Sequence, residues 1–289
     1  MTSFTIVIRD IESFDEMREI EALQKDVWQF SDLDVVPRTI LVPTKEVGGV
    51  LIGAYDGSAL VGFAYGFPGY EHGEATHHSH MLAVRPEYRN LNLGFKLKLA
   101  QRERVLSQGI KRITWTFDPL QSRNTYFNFG KLGVIADSYR VDFYGATTSS
   151  FLHQAGTDRL WVTWLIDSER VRRRLGNEER AETFPSDVLQ LLRVGVDLRP
   201  ESNEQSDIWK QDELAIEIPT KVDALQTERP DLVVEWRRST RHVFVEAMTL
   251  GYVVEDFYRC DDGDKSVGRY LLHRRNIKLN SHPGRVARH

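Results

Sequence analysis

The sequence predicts a mixed α/β fold, with a central sheet flanked by helices and a smaller C-terminal β-α-β-β lobe. Three observations predict it. The chain has 289 residues, 41% of them hydrophobic, and 20 glycines, which suits a globular chain of about two domains with a core that needs no disulfide or metal staple. Short β-branched runs alternate with stretches of helical periodicity, in the order β-α-β-β-β-α-β-α-β-β up to Ile166. Finally, Leu82–Gly94 reads as a strand, a short loop and the start of a helix, a junction suited to anion binding.

Composition also excludes several classes. Lys and Arg total 38 against 42 Asp and Glu, a formal net charge of −4, which makes no electrostatic case for nucleic acid or an anionic membrane. No apolar run reaches the ~18 residues that a membrane helix needs. The N-terminus shows no basic segment followed by an apolar one, as a secretory signal would. Cys260 is the single cysteine, so an internal disulfide is excluded and a reducing cytoplasm fits.

Phe4–Arg9 is β-branched and reads as the opening strand. Phe14, Met17, Ile20, Leu23 and Val27 recur at spacings of three and four and predict a helix. Ser31–Lys45 carries Pro37 and Pro43 and reads as a loop. Gly48–Tyr55 and Leu60–Phe67 flank Asp56-Gly57 as a hairpin, with Pro68-Gly69 expected to end its second strand. Ala75–Val84 is a further strand, stopped at Arg85-Pro86 because the residue before proline is pushed away from helix. A helix rich in Leu, Lys, Gln and Arg runs to about Ser107, with Gly109 after it. Then come the strand Ile110–Phe117, a short helix over Ser122–Leu132, and strands near Val134–Tyr144 and Arg159–Ile166.

Ser168–Glu182 is dense in charge and reads as a solvated helix or linker or as an anion-binding patch; it places the domain boundary at 171–184, between a first domain over 1–170 and a lobe over 185–275, and the basic tail 276–289 lacks periodicity. The lobe echoes what precedes it. A strand ending in proline, a helix, a Leu-Gly corner and two strands occur first from Ile113-Thr114-Trp115 to Ile166 and again from Leu214 to His273. Both a degenerate half-repeat and a chance likeness fit this echo. The lobe is expected to hold about three strands and one good helix, Leu232–Leu250.

The chemistry concentrates at Leu82–Gly94. At a strand-to-helix junction several backbone N–H groups lack an intrahelical partner and the helix dipole adds partial positive charge. Gly94 lets the backbone approach a pyrophosphate, and Arg89 adds donors. The loop has neither a Gly-Lys-Ser/Thr ending nor three glycines, so it is not a Walker A loop or a dinucleotide fingerprint. His78 and His80 alternate with Leu82 and share a face with it if the strand is regular. An unperturbed histidine titrates near ~6.5, which suits a general base as well as a structural role. Adjacent His77 and His78 face opposite ways and no cysteine lies near, so no metal site is expected. Asp118 suits a base or a helix cap, Arg123 a carboxylate or phosphate ligand or a surface ion pair, and Asn124 an amide contact or a cap.

The run Val84-Arg85-Pro86-Glu87-Tyr88-Arg89-Asn90-Leu91-Asn92-Leu93-Gly94 resembles the coenzyme A pyrophosphate loop of the GNAT superfamily of N-acyltransferases. Arg89 matches its first position and Gly94 its last; Asn92 stands where the first glycine is usual, and asparagine tolerates positive φ better than most residues. The element order over residues 1–170 matches that fold, and Asp118-Pro119-Leu120-Gln121-Ser122-Arg123-Asn124 looks like the signature of one uncharacterised subfamily. The resemblance implies acyl-coenzyme A, acetyl-CoA or another acyl-CoA, as substrate, held by Leu82, Ala83, Val84, Arg89, Asn90, Leu91, Asn92, Leu93, Gly94, Phe95 and Asn124. It implies a small-molecule amine acceptor, with an amino acid among the candidates and Arg123 as its ligand. His80, Asp118 and Tyr126 are the acid–base candidates, because the tyrosine the superfamily often carries in the following helix is replaced by Phe129. A homodimer is a possible assembly. The alternative reading is a non-catalytic acyl-CoA-binding regulatory module.

Overall fold

A computed structural model describes residues 5–145, 156–176, 183–262 and 265–275. The chain forms two compact units that divide between Trp115 and Thr116. This division does not coincide with the boundary expected over 171–184.

The first unit opens with strand β1 (Ile6–Asp10) and helix α1 (Phe14–Trp28). Ser13 and Glu16 form a reciprocal cap at the start of α1, which explains where that helix begins. The expected loop Ser31–Lys45 instead contains helix α2 (Arg38–Glu46). Pro37 stands just before its first residue, where a missing N–H costs nothing, and Pro43 lies inside it, three residues from its end. Strands β2 (Val50–Asp56), β3 (Ala59–Glu71) and β4 (Glu74–Val84) form an antiparallel meander. Pro68-Gly69 does not end β3. Past Gly66↔Val50 the strand pairs with β4 alone, so the missing N–H of Pro68 falls on an edge. A short 3-10 turn (Pro86–Leu91), helix α3 (Leu93–Ser107) and strand β5 (Arg112–Phe117) follow. Leu41 of α2 and Met17, Ile20 and Leu23 of α1 bury against Leu51, Phe63 and Tyr65 on one face of the sheet. Helix α3 packs on β2, β3 and β4. Gly66 makes that contact possible, since a Cβ there would lie 2.3 Å from His77 Nε2 and 3.0 Å from Gln101 Nε2.

The second unit holds helix α4 (Ser122–Thr125), a π-helical stretch (Tyr126–Leu132), β6 (Ile135–Arg140), β7 (Arg159–Leu165) and α5 (Glu169–Leu175). It continues with β8 (Leu189–Val194), β9 (Pro200–Ser202), β10 (Glu213–Pro219), α6 (Val222–Glu228), α7 (Pro230–Thr249), β11 (Tyr252–Asp262) and β12 (Lys265–Arg274). The last third is thus richer than expected, with β8, β9 and α6 in addition. Its strands lie in the order β7-β6-β11-β12-β10-β8-β9.

Two helix-to-hairpin arms, ending in β6-β7 and β11-β12, meet in this order. In each, a glycine with positive φ (Gly133 at 74°, Gly251 at 86°) turns the chain from helix to strand, and a bulge interrupts the hairpin soon after. Ala136 and Val254, each three residues beyond its glycine, pair antiparallel with one another.

The arms also share one core. Tyr270 of β12 packs on Phe129, Phe244 and Phe257 at 6.0, 5.1 and 4.8 Å between ring centres, and its hydroxyl donates to Pro119 O at 2.6 Å. Helix α5, expected as a solvated helix or linker, buries Val171, and its Arg174 donates to Phe129 O at 2.9 Å and pairs with Asp256 at 2.9 Å.

Candidate active site

The loop after β4 has the form the sequence implies, with one refinement. The 3-10 turn over Pro86–Leu91 carries Asn90 and Leu91 to Asn92, which adopts the left-handed conformation (φ 56°, ψ 26°) and precedes α3. Asparagine therefore does here what glycine would do. No side chain caps α3, and Lys96 N–H is bonded within the helix, to Asn92 O at 3.2 Å. The N–H groups of Leu93, Gly94 and Phe95 precede that first helical bond, at the positive end of a 15-residue helix. Leu93 is buried and anchors the turn. Gly94 has open space, a Cβ there finding Leu82 Cδ2 at 3.9 Å. The exposed Arg89 folds back, its Nε donating to Val84 O at 3.3 Å, which ties the loop to the strand end.

Strand β4 is where the chemistry departs from regularity. Its pairing with β3 slips between Tyr65↔Met81 and Gly66↔Ser79, which makes His80 the extra residue of a bulge. A bulge reverses the alternation, so the expected shared face of His78, His80 and Leu82 does not hold. The rings of His78 and His80 sit together, 6.3 Å apart, with Phe67 at 5.5 and 5.8 Å from them. Leu82 turns the other way, toward Gly94, while Ala83 joins the core under α1 and α2. Parallel pairing with β5 covers His77↔Ile113 and His78↔Thr114, and β4 then runs on to Val84 beside β3.

Electrostatics differ along this strand. Burial pushes His77 down to about 3, helped by Lys98 and His78, and pushes His78 down to about 4, helped by His80 and Lys98. His80 is lowered by loss of water among the rings, yet its side chain reaches the surface. Of the three it combines a neutral imidazole at pH 7 with access. Lys98 is not among the residues the sequence analysis singles out. It is 2% exposed on α3, hydrogen-bonded to Ser79 Oγ at 2.7 Å and set 3.7 Å from the Trp115 ring, and burial pushes its amine down to about 7. A lysine among Leu, Ala and Gln on the buried side of a helix was the available signal.

The remaining candidates belong to the second unit. Asp118 is committed: its oxygens accept from Arg237 at 2.8 and 2.7 Å and from Leu120 N–H at 2.9 Å. Arg237 is 5% exposed; burial opposes its charge, and the Asp118 carboxylate more than offsets this, raising its pKa. A carboxylate held this way braces the turn before α4 and serves as an ion-pair partner, and is unsuited to the base role. Arg123 and Asn124 are exposed on α4, Tyr126 is half-buried at the start of the π-helical stretch, and Phe129 is fully buried against Phe117 and Tyr270. The acid–base candidates thus fall in different units: His80 in the first, Asp118 and Tyr126 in the second. Among the described residues no helix is long and apolar enough to cross a membrane.

Free amides at a strand-to-helix junction, on a mixed sheet with helices on both faces, are an arrangement whose chemistry suits an anionic, phosphate-bearing ligand. Residues 14–130 match the model of the acetyltransferase (GNAT) family. Solved structures of similar fold include a putative GNAT acetyltransferase from Desulfovibrio desulfuricans (15% identity, 56% of this chain and 99% of that one, TM-score 0.47). Others are the ribosomal-protein-S18-alanine N-acetyltransferase of Escherichia coli (12%, 63% and 99%, TM-score 0.45) and an acetyl-CoA-bound GNAT acetyltransferase from Elizabethkingia anophelis (15%, 55% and 97%, TM-score 0.40). No curated protein matches the chain.

Proposed function

We propose that the chain is a cytoplasmic N-acyltransferase that moves an acetyl group from acetyl-coenzyme A to a small amine, an amino acid being the leading candidate, and that the Asp118–Asn124 signature marks its subfamily. The observation that carries this reading is the Val84–Gly94 loop, with Asn92 left-handed and the α3 amides unspent. The pyrophosphate lies against the N–H groups of Leu93–Phe95, with Arg89 beside it. A backbone N–H of Leu82–Val84 donates to the thioester oxygen as charge develops there. The attacking ammonium loses its proton to His80, whose lowered pKa keeps it neutral at pH 7. A thiolate leaves with a conjugate acid near ~8.5, so a missing tyrosine at Phe129 is tolerable.

A second reading, a regulatory module that binds acyl-CoA without turnover, is favoured by the burial of Phe129 where the superfamily carries its tyrosine. One experiment separates the two: calorimetry with acetyl-CoA, then thiol release with a panel of amines. Binding with release supports the enzyme, and binding without release supports the module. In the enzyme, His80→Ala lowers the rate by roughly 10²–10⁴-fold and removes the acidic limb of the pH profile. That limb lies below the ordinary histidine range, because the shift of His80 is downward. A rate within a factor of a few of the parent would move the proton to water.

A further inference from the structure

Strand β4 slips by one residue against β3 at His80, and the slip is anchored on both sides. Beyond it, Leu82 faces Gly94 and Ala83 enters the core. Just before it stands Ser79, 5% exposed and paired with Gly66 of β3. The Ser79 hydroxyl donates to Gln101 Oε1 at 2.9 Å and accepts from Lys98 Nζ at 2.7 Å. Lys98 Nζ also donates to Gln101 Oε1, at 3.2 Å, which closes a triangle of bonds. Lys98 and Gln101 are three residues apart on one face of α3, so a single turn of that helix grips the strand next to its bulge. On the other face of the strand the bulge holds His80 against Tyr65 and Phe67, each ring at 5.8 Å. All of these residues belong to the first unit.

Packing alone does not require this network. Lys98 is 2% exposed, and among the described residues its amine meets a hydroxyl, a side-chain amide and the Trp115 ring, but no carboxylate. Burying an amine without an opposite charge opposes folding, and an unbranched apolar side chain fills the same channel without that cost. What the amine adds is direction, since it fixes the Ser79 hydroxyl at the last residue before the slip. The location of a bulge matters because side chains alternate along a strand. With β4 regular through His80, Leu82 would leave Gly94 for the opposite face. Lys98 stands four residues after Gly94, so the helix that offers its first amides to an anion also grips the strand that carries His80.

We propose that Lys98 is a positioning residue: through Ser79 and Gln101 it fixes the bulge in β4, and so holds His80 in place relative to the coenzyme end of α3. The proposal rests on the acyltransferase reading for the role of His80 as base; the hold of Lys98 on the bulge does not.

The test uses the full chain, with Lys98→Met, Ser79→Ala and the double variant compared with the parent. Thiol release from acetyl-CoA with the best acceptor of the amine panel gives kcat and KM, and amide hydrogen exchange over residues 79–82 reads the bulge without turnover. Each single variant is expected to lower kcat by roughly tenfold or more, the scale of a small misplacement of a reacting group. KM for acetyl-CoA stays as in the parent, because the amides of Leu93–Phe95 are untouched. The double variant loses no more than the worse single one, since both break the same link. Exchange over 79–82 quickens in all three. Should Lys98→Met fail to fold, Ser79→Ala, the smaller change, decides by the same two measurements. A parent-like kcat in both single variants, a loss that appears in KM instead of kcat, or exchange over 79–82 as slow as in the parent overturns the proposal. If the parent itself releases no thiol, the acyltransferase reading falls, and exchange alone decides whether Lys98 holds the bulge.

Discussion

Two parallel strand pairs in this chain are bridged in different ways. From β4 to β5 the chain passes through a 3-10 turn and the 15-residue helix α3, whose N-terminus presents free amides. From β8 to β10, also parallel, it passes through two short 3-10 turns and β9, with no α-helix. In the second case the N–H of Val194 at the end of β8 is satisfied from within: it donates to Glu217 Oε2 at 2.9 Å, and Glu217 Oε1 pairs with Arg269 at 2.7 Å. A strand end can therefore offer its amides to a ligand or satisfy them with its own carboxylate. The β-α-β-β order recurs along the chain, while among the described residues the crossover with free helical amides is seen at β4–β5 and not at β8–β10. The scaffold of the arm is thus separable from the crossover that presents free amides.

The largest expected effect comes from removing the second arm. A fragment of residues 1–170 uncovers Phe129 and Tyr139, which pack on Tyr270 and Phe244 of the part removed. Exposed apolar area of that kind drives association. The fragment should aggregate or lose activity. A soluble, monomeric and fully active fragment, seen by light scattering and thiol release, would show that the two arms do not depend on each other.

The crossovers should differ in their sensitivity to charge. Gly94→Glu places a carboxylate among the α3 amides, and the space beside Gly94 means that the fold tolerates it. Coenzyme A affinity should fall by roughly a hundredfold or more, from bulk and like charge together. Val196→Glu, at a position 71% exposed in the other crossover, should leave affinity unchanged. Equal calorimetric losses in both would place the coenzyme elsewhere.

Legibility of the sequence follows the same division. The hairpin around Asp56-Gly57, helix α1 and the loop ending at Gly94 were readable because turn chemistry, periodicity and capping are local. Helix α2 was not, since its two prolines read as loop signals, and tertiary burial of Leu41 decides the matter. The bulge at His80 leaves no local mark, so the side of the strand that holds Leu82 was misread. Asp118 looked like a site residue because its partner, Arg237, lies 119 positions away. The short elements β8, β9 and α6 lack periodicity and take their form from β10 and α7, against which they lie. The Leu-Gly echo was readable, whereas the pairing of Ala136 with Val254 was not, because register across two arms is a long-range property.

Helix α3 also brings a buried amine that the other crossover lacks. Burial holds the Lys98 amine at about 7, down from the ordinary lysine value of 10.5, so between those values the unfolded chain holds more protons. Its contribution therefore makes stability rise with pH from about 7 upward. Lys98→Met should remove that rise and stabilise the protein at and below pH 7 by a few kcal/mol, at ~1.36 kcal/mol per pKa unit. Urea unfolding at pH 6, 7, 8 and 9 reads it directly. Identical slopes for parent and variant would mean that the amine is charged and solvated in the folded protein.

The smallest effect tests the likeness of the two arms at their corners. Gly133 and Gly251 hold equivalent positions, with φ of 74° and 86°, and alanine at either pays the left-handed penalty of about 1–2 kcal/mol. Their surroundings then separate them. A Cβ at Gly133 meets Arg174 Cβ at 3.2 Å and Arg174 Cγ at 3.3 Å, on a residue fixed by its bonds to Phe129 O and Asp256. A Cβ at Gly251 meets only Arg275 O, at 3.4 Å, an ordinary contact. Moving α5 to accommodate the first would strain the Arg174–Asp256 pair, since neither partner has room to follow. Gly133→Ala should therefore cost more than Gly251→Ala, by about 1 kcal/mol beyond the shared penalty, as overpacking usually does. Denaturant midpoints with unchanged slopes give both values. Equal losses would mean that α5 yields to the first corner as readily as the loop before residue 275 yields to the second, and that the corners are alike in packing as well as in backbone.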